Sequence, residues 1–252
     1  MSGLEQLAVL LAGFAAGMLT STVGVASLVS FPVLVAIGLP PVVASVSNTI
    51  GMTPAGVSGS FGYRAELREH PRVTAVILVT GMIGSVFGAV LLLGLPSGVF
   101  ESVVPFLILF TCLLVGAQPL ITKVLRRGQE PRAPRHHLSP VTTFFAGLVG
   151  VYGGYFGAGS GVMMVAVLGF GTDLELRIVN ALKTVAIFAG NIVAALIFVV
   201  VADVDWAAAG LLAAGSLVGG YVGARVGRRL PPTLFRILVV VAGVTAAVTM
   251  LA

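Results

Sequence analysis

Lys183 and the glycines just upstream of it are the residues of this chain best suited to chemistry. From Gly150 to Leu168 the sequence reads GVYGGYFGAGSGVMMVAVL, with glycine at 150, 153, 154, 157, 159 and 161. Each glycine weakens a helix interior by roughly 1 kcal/mol and leaves the backbone bare. A helix that breaks at Gly157-Ala158-Gly159-Ser160-Gly161 and restarts near Gly161 turns unpaired amides toward the break. Amides and helix dipole together suit an anion. Lys183 is the basic residue that falls inside an apolar segment, where a charge is costly and marks function, and it is the natural counter-charge. The competing reading is close helix packing through small residues for the glycines. For Lys183 it is snorkelling to the interface, since Arg177 lies six positions, about 9 Å of helix rise, away.

The elements that must position these groups are membrane helices. Of 252 residues, 58% are hydrophobic and 9% charged, and apolar runs of bilayer-spanning length recur from end to end. The runs do not alternate, which excludes a β-barrel. The net charge of +5 reads as basic cytoplasmic loops rather than nucleic-acid binding. One cysteine, Cys112, cannot form an internal disulfide. Met1 to Gly13 has no basic start and makes a poor signal peptide. The pair His136-His137 lacks further metal ligands, and no cofactor is implied.

Eight apolar segments are expected: 7–37, 41–62, 73–94, 99–122, then 141–171, 178–202, 206–227 and 233–252. The polar stretch Arg126 to Pro140 splits them four and four, giving a first repeat over 1–125, a basic cytoplasmic linker over 126–140 and a second repeat over 141–252. An offset of 134 positions lays Gly13 on Gly147, Ala55-Gly56 on Ala189-Gly190 and Gly81 on Gly215. If all eight segments cross, basic residues divide eight to five between the faces. If 7–37 and 141–171 each dip in and return, thirteen fall on one face, with Lys183 inside the sixth segment. The positive-inside rule favours the second arrangement. The expected fold is an all-α polytopic membrane protein of two inverted four-segment repeats, each a re-entrant broken-helix hairpin plus three transmembrane helices. Such repeats place a site at their interface near the midplane.

The register gives the glycine break a reduced counterpart at Gly24-Val25-Ala26-Ser27 and sets Thr49 opposite Lys183. Asn48, Asn180 and Asn191 are further polar residues in these segments, able to hydrogen-bond a ligand or to join helices. The candidate substrate-binding set is therefore Gly24, Ser27, Asn48, Thr49, Gly157, Gly159, Ser160, Gly161, Asn180, Lys183 and Asn191. Gly81, Gly84 and Gly88, like Gly215, Gly219 and Gly223, read instead as helix-packing stripes. No Asp or Glu lies deep in an apolar segment, so a carboxylate proton relay is unsupported.

Gly17 to Pro41, GMLTSTVGVASLVSFPVLVAIGLPP, followed by Ser47-Asn48-Thr49, resembles the first half of the sulfite exporter TauE/SafE family. GGYFGAGSG, Asn180-Ala181-Leu182-Lys183, Val204-Asp205-Trp206 and GARVGRRLP are similar to its second repeat. The resemblance implies a transporter, usually an exporter, of small organosulfur or sulfur oxyanions such as sulfite, a sulfonate or sulfoacetate. It implies a multi-pass protein of the bacterial plasma (inner) membrane, with the lipid bilayer as partner and room for a homo-oligomer. Two departures stand out: the first-half glycine run is reduced, and Thr49 replaces the lysine of the family's triplet. An anion channel or a facilitator for other small carboxylates and oxyanions is the alternative. An intramembrane serine enzyme is disfavoured, since no His lies in an apolar segment to act as base.

Overall fold

In the computed structural model, residues 1–22, 24–127, 138–226 and 232–251 are described. Most of the linker 126–140, with Arg132 and Arg135, lies outside the described residues, as do Arg228 and Arg229. The described chain is helical: α1 Gly3–Thr22, α2 Ser27–Ala36, α3 Pro41–Gly62, α4 Arg64–Glu69, α5 Pro71–Gly94, α6 Ser97–Arg127, α7 Pro140–Tyr155, α8 Ser160–Gly171, α9 Leu176–Val201, α10 Trp206–Val226 and α11 Pro232–Leu251. Side chains such as Phe106, Leu113, Leu120, Phe170 and Val200 stand mostly exposed on its outside, a surface suited to lipid rather than water.

Among the described residues, five helices are long and apolar enough to cross a membrane: α1, α5, α6, α9 and α10. The sequence reading expected six crossings, and α5, α6, α9 and α10 are four of them. In α3 the run carries Ser45, Ser47, Asn48, Thr49 and Thr53, which lower its mean hydropathy. α11 is apolar over Val239–Leu251, the continuous part of it whose side chains are described. The two long segments are each two helices, α1 with α2 and α7 with α8, and α1 by itself has the length and apolarity of a crossing.

Each half packs mainly on the other. α1 packs on α10 and α7 on α5, α3 on α10 and α9 on α5; α3 meets α9, and α6 meets α11. Glycines set the directions. A Cβ on Gly13 would lie 2.7 Å from Leu212 O, and one on Gly17 would meet Ser216 and Gly220, so α1 runs parallel to α10. Gly150 faces Gly81, with a Cβ 2.7 Å from its carbonyl, and Gly154 faces Ser85, so α7 runs parallel to α5. The Ser47 hydroxyl accepts from Asp205 N at 3.0 Å, and Ser216 Oγ donates to Gly51 O at 2.9 Å, so α3 also runs with α10. Ser85 Oγ donates to Gly190 O at 2.7 Å, while Gly81 faces Ala186, and α9 runs with α5.

At one end, α4 is clamped to the start of α9. Arg177 donates to both carboxylate oxygens of Glu69 at 2.8 and 3.1 Å. This fork holds the Glu69 carboxyl below the usual carboxylate range. The stabilisation is thus present at neutral pH and lost as pH falls through that lowered value.

Candidate functional site: two broken helices meeting at Lys183

Both breaks are left-handed glycine turns. Gly24 (φ +80°) donates to Leu19 O at 2.8 Å, and Gly157 (φ +81°) donates to Tyr152 O at 3.0 Å. The same five-residue-back bond ends α1 and α7, a glycine C-cap of the usual kind. The second turn needs another glycine: Gly159 has φ +77°, and a Cβ there would lie 2.5 Å from Thr111 Cγ2.

The turns leave backbone donors open. Among the described residues, the N–H groups of Val25, Ala26 and Ser27, and of Ala158, Gly159 and Gly161, make no hydrogen bond. Helix starts leave such groups by construction. Here Val25, Ala158, Gly159 and Gly161 are buried, and Ala26 and Ser27 are half-buried. The Ser160 hydroxyl donates back to Gly157 O at 2.8 Å and pins the start of α8.

The two turns meet. A Cβ on Gly161 would lie 3.0 Å from Gly24 O and 3.5 Å from Lys183 Cδ, and a Cβ on Gly24 would lie 3.4 Å from Lys183 Nζ. The Lys183 side chain therefore passes Gly161 and ends against Gly24. Lys183 as a whole is half-buried. Among the described residues it has no hydrogen-bond acceptor and no carboxylate partner. The two turns and the Lys183 ammonium thus meet at one place, with no carboxylate there among the described residues.

The remaining candidates divide into two groups. Ser27 opens α2 at the first turn. Asn191 lines a small cleft with Gly150, Gly153 and Ser160 beside the second turn, and its carboxamide makes no hydrogen bond among the described residues. Asn48, Thr49 and Asn180 each make a bond to a helix. Asn48 Oδ1 accepts from the buried Ser30 hydroxyl and ties α3 to α2. Thr49 Oγ1 donates to Ser45 O at 3.0 Å, and Asn180 Nδ2 donates to Leu176 O at 2.8 Å.

Two residues that hold the second turn escaped the sequence reading. Thr111 Oγ1 and Tyr152 OH lie 2.9 Å apart, and both donate to Ala158 O, at 3.0 and 2.7 Å. Phe156, at the turn, packs edge-on against Phe31 with centroids 5.4 Å apart. A hydroxyl in the apolar run of α6 was the available signal for Thr111. We expect the double change Tyr152→Phe with Thr111→Val to leave the Ala158 carbonyl unpaired. This should cost about 1–3 kcal/mol, seen as a lower melting temperature in detergent; Tyr152→Phe alone should cost less, because Thr111 remains.

At the offset of 134, Ala16, Ala26 and Met52 fall on Gly150, Ser160 and Ala186 of the cleft beside the second turn; Ala16 and Met52 are buried with Ala55, and the half-buried Ala26 packs against them.

The sequence profile described as Sulfite exporter TauE/SafE matches residues 9–250, almost the whole chain. The chain belongs to that family. Its relatives include a probable membrane transporter protein of Haemophilus influenzae, 28% identical over 95% of this chain and 92% of the relative. Another is the probable membrane transporter protein ORF9 of Sinorhizobium sp, 25% identical over 96% of this chain and 90% of the relative. Escherichia coli K12 has the probable membrane transporter protein YfcA, 26% identical over 85% of this chain and 76% of the relative. No solved structure matches. As a TauE/SafE protein the chain is a multi-pass membrane transporter, and the family is not an enzyme class. In this TauE/SafE member, the glycine turns and Lys183 form the strongest concentration of polar chemistry among the described apolar helices.

Proposed function

We propose that the protein carries a small sulfur-containing oxyanion, sulfite or a sulfonate, outward across the bacterial inner membrane. The ligand binds where the two turns meet, its oxygens on the open amides of residues 158–161 and its charge on Lys183. The observation that carries this reading is the meeting of the two glycine turns at Lys183, whose ammonium has no partner among the described residues. Preorganised amides and a cation in a dry setting are the chemistry of oxyanion recognition. The family description supplies the sulfur class and the direction.

Helix directions support an inverted repeat. α1 and α3 run with α10, α7 and α9 run with α5, and α5 starts on the side where α3 ends. On this reading the α1–α2 and α7–α8 hairpins enter from opposite faces, and α3, α5, α6, α9, α10 and α11 cross. The contact between the turns, Gly161 against Gly24, favours a carrier over a channel.

The test is flux. Purified protein in liposomes should exchange radiolabelled sulfite or isethionate, with uptake stimulated by the same anion on the far side. Uptake no faster than in empty liposomes, for every sulfur anion tried, would overturn the proposal.

A further inference from the structure

The charges surrounding Lys183 set how many charges its ligand brings. On α9 the neighbouring cation is Arg177, six positions away and occupied by Glu69, with Glu66 and Glu175 beside it. The elements packed closest, α2, α3, α7 and α8, carry no charged residue. α1 has Glu5 in its first turn, and α5 has Arg72 at its second residue, both far from the turns. α4 spends its carboxylates on Arg177. α6 keeps Glu101, Lys123, Arg126 and Arg127 toward its ends, and α10 has Arg225 near its last residue. Arg236 belongs to α11, which packs mainly on α6 and α2. Among the described residues, the site holds one formal charge, positive, plus neutral dipoles.

Resting on the anion site argued above, we propose that the protein is matched to a single negative charge and works as an electrogenic carrier. Loaded with a monoanion, the site is neutral and crosses the apolar interior without a net charge. Empty, it returns with the charge of Lys183. An inside-negative membrane draws that positive empty site inward and so drives anion export with no coupling cation. A dianion would leave one charge uncompensated in surroundings that penalise it. The repeat gives a second handle. Thr49 stands in the register position of Lys183 and now spends its hydroxyl on Ser45 O. Lysine there would supply a second positive charge from the other half.

The test uses the full chain in proteoliposomes, with potassium gradients and valinomycin setting the potential. The anions are methanesulfonate and isethionate, which carry one charge, and sulfate and sulfoacetate, which carry two. We expect the monoanions to be taken at least tenfold better. Their efflux should rise with inside-negative potential, by up to about 50-fold per 100 mV for a full unit of charge. Thr49→Lys should move the preference at least tenfold toward the dianions. Monoanion flux indifferent to potential, or dianions handled as well as monoanions by the unaltered protein, would overturn the charge match and leave the anion site standing. Flux of none of these anions, or of sulfite, would overturn both.

Discussion

Gly88→Leu should abolish recovery of folded protein. A Cβ at Gly88 would run into the backbone of α7 at Val151 O, Tyr155 N and Gly154 C, and one at Gly154 would run into Ser85 O. These obstacles are backbone atoms on both sides, so no rotamer change relieves them. The helices would have to separate, losing contact along the whole α5–α7 seam and moving the Gly157–Gly161 turn that α7 leads into. Overpacking commonly costs about 1–3 kcal/mol where side chains can yield. With backbone opposed to backbone we expect about 3 kcal/mol or more, enough to unfold a protein of ordinary stability. Gly219, whose Cβ would meet Phe14 on α1, should behave alike. Gly116→Ala and Gly210→Ala are the controls, since a Cβ at either meets nothing within 4 Å. They should be neutral or stabilise by up to about 1 kcal/mol through helix propensity. Size-exclusion profiles and melting temperatures in detergent decide it. A Gly88→Leu protein that is monodisperse and melts with the parent would refute the α5–α7 packing.

These glycines show what sequence could and could not reveal. Their stripe on one helix face predicted close packing, and the pattern is strong because a membrane helix has few other reasons to place glycine at every fourth position. The partner was not legible: that α5 packs on α7 and α10 on α1 is a property of the assembled halves, which local pattern does not encode. The break at 157–161 was legible for the same reason as the stripes, glycine being costly in a helix interior. So was the lone Lys183, because charge in an apolar run is rare. The roles of Asn48, Thr49 and Asn180 were not legible. A short polar side chain in a membrane helix can face a ligand or bond to its own turn, and both choices look alike in sequence. Thr49 and Asn180 bond to their own helices, and Asn48 bonds to Ser30 across to α2. Thr111 was missed because the hydroxyls of α6, at Ser97, Ser102, Thr111 and Thr122, follow no periodic pattern that would single it out. Its partner, the Ala158 carbonyl, appears once α6 and the turn are placed together. The asymmetry between the halves was half visible: the reduced glycine run at 24–27 and Thr49 in place of lysine could be read, whereas the packing of Ala16, Ala26 and Met52 against one another could not.

Lys183→Gln should separate function from stability in opposite directions. A residue kept for structure lowers stability when removed. The Lys183 ammonium has no partner among the described residues, and it lies beside open N–H groups that present further positive charge. Removing it relieves an uncompensated charge, so the melting temperature of the ligand-free variant should stay level or rise. Anion binding should fall, because the charge-assisted bond is gone. A hydrogen bond to a charged group contributes about 1.5–3 kcal/mol, equivalent to roughly 10- to 150-fold in affinity. Lys183→Arg should recover part of the binding, limited by the larger guanidinium in a space bounded by Gly24 and Gly161. The two readouts are the melting temperature without ligand and the shift that saturating isethionate or sulfite produces. Loss of both stability and binding in Lys183→Gln would assign the residue to the scaffold. An unchanged ligand shift would remove it from the site and leave the amides of residues 158–161 as the anion contact.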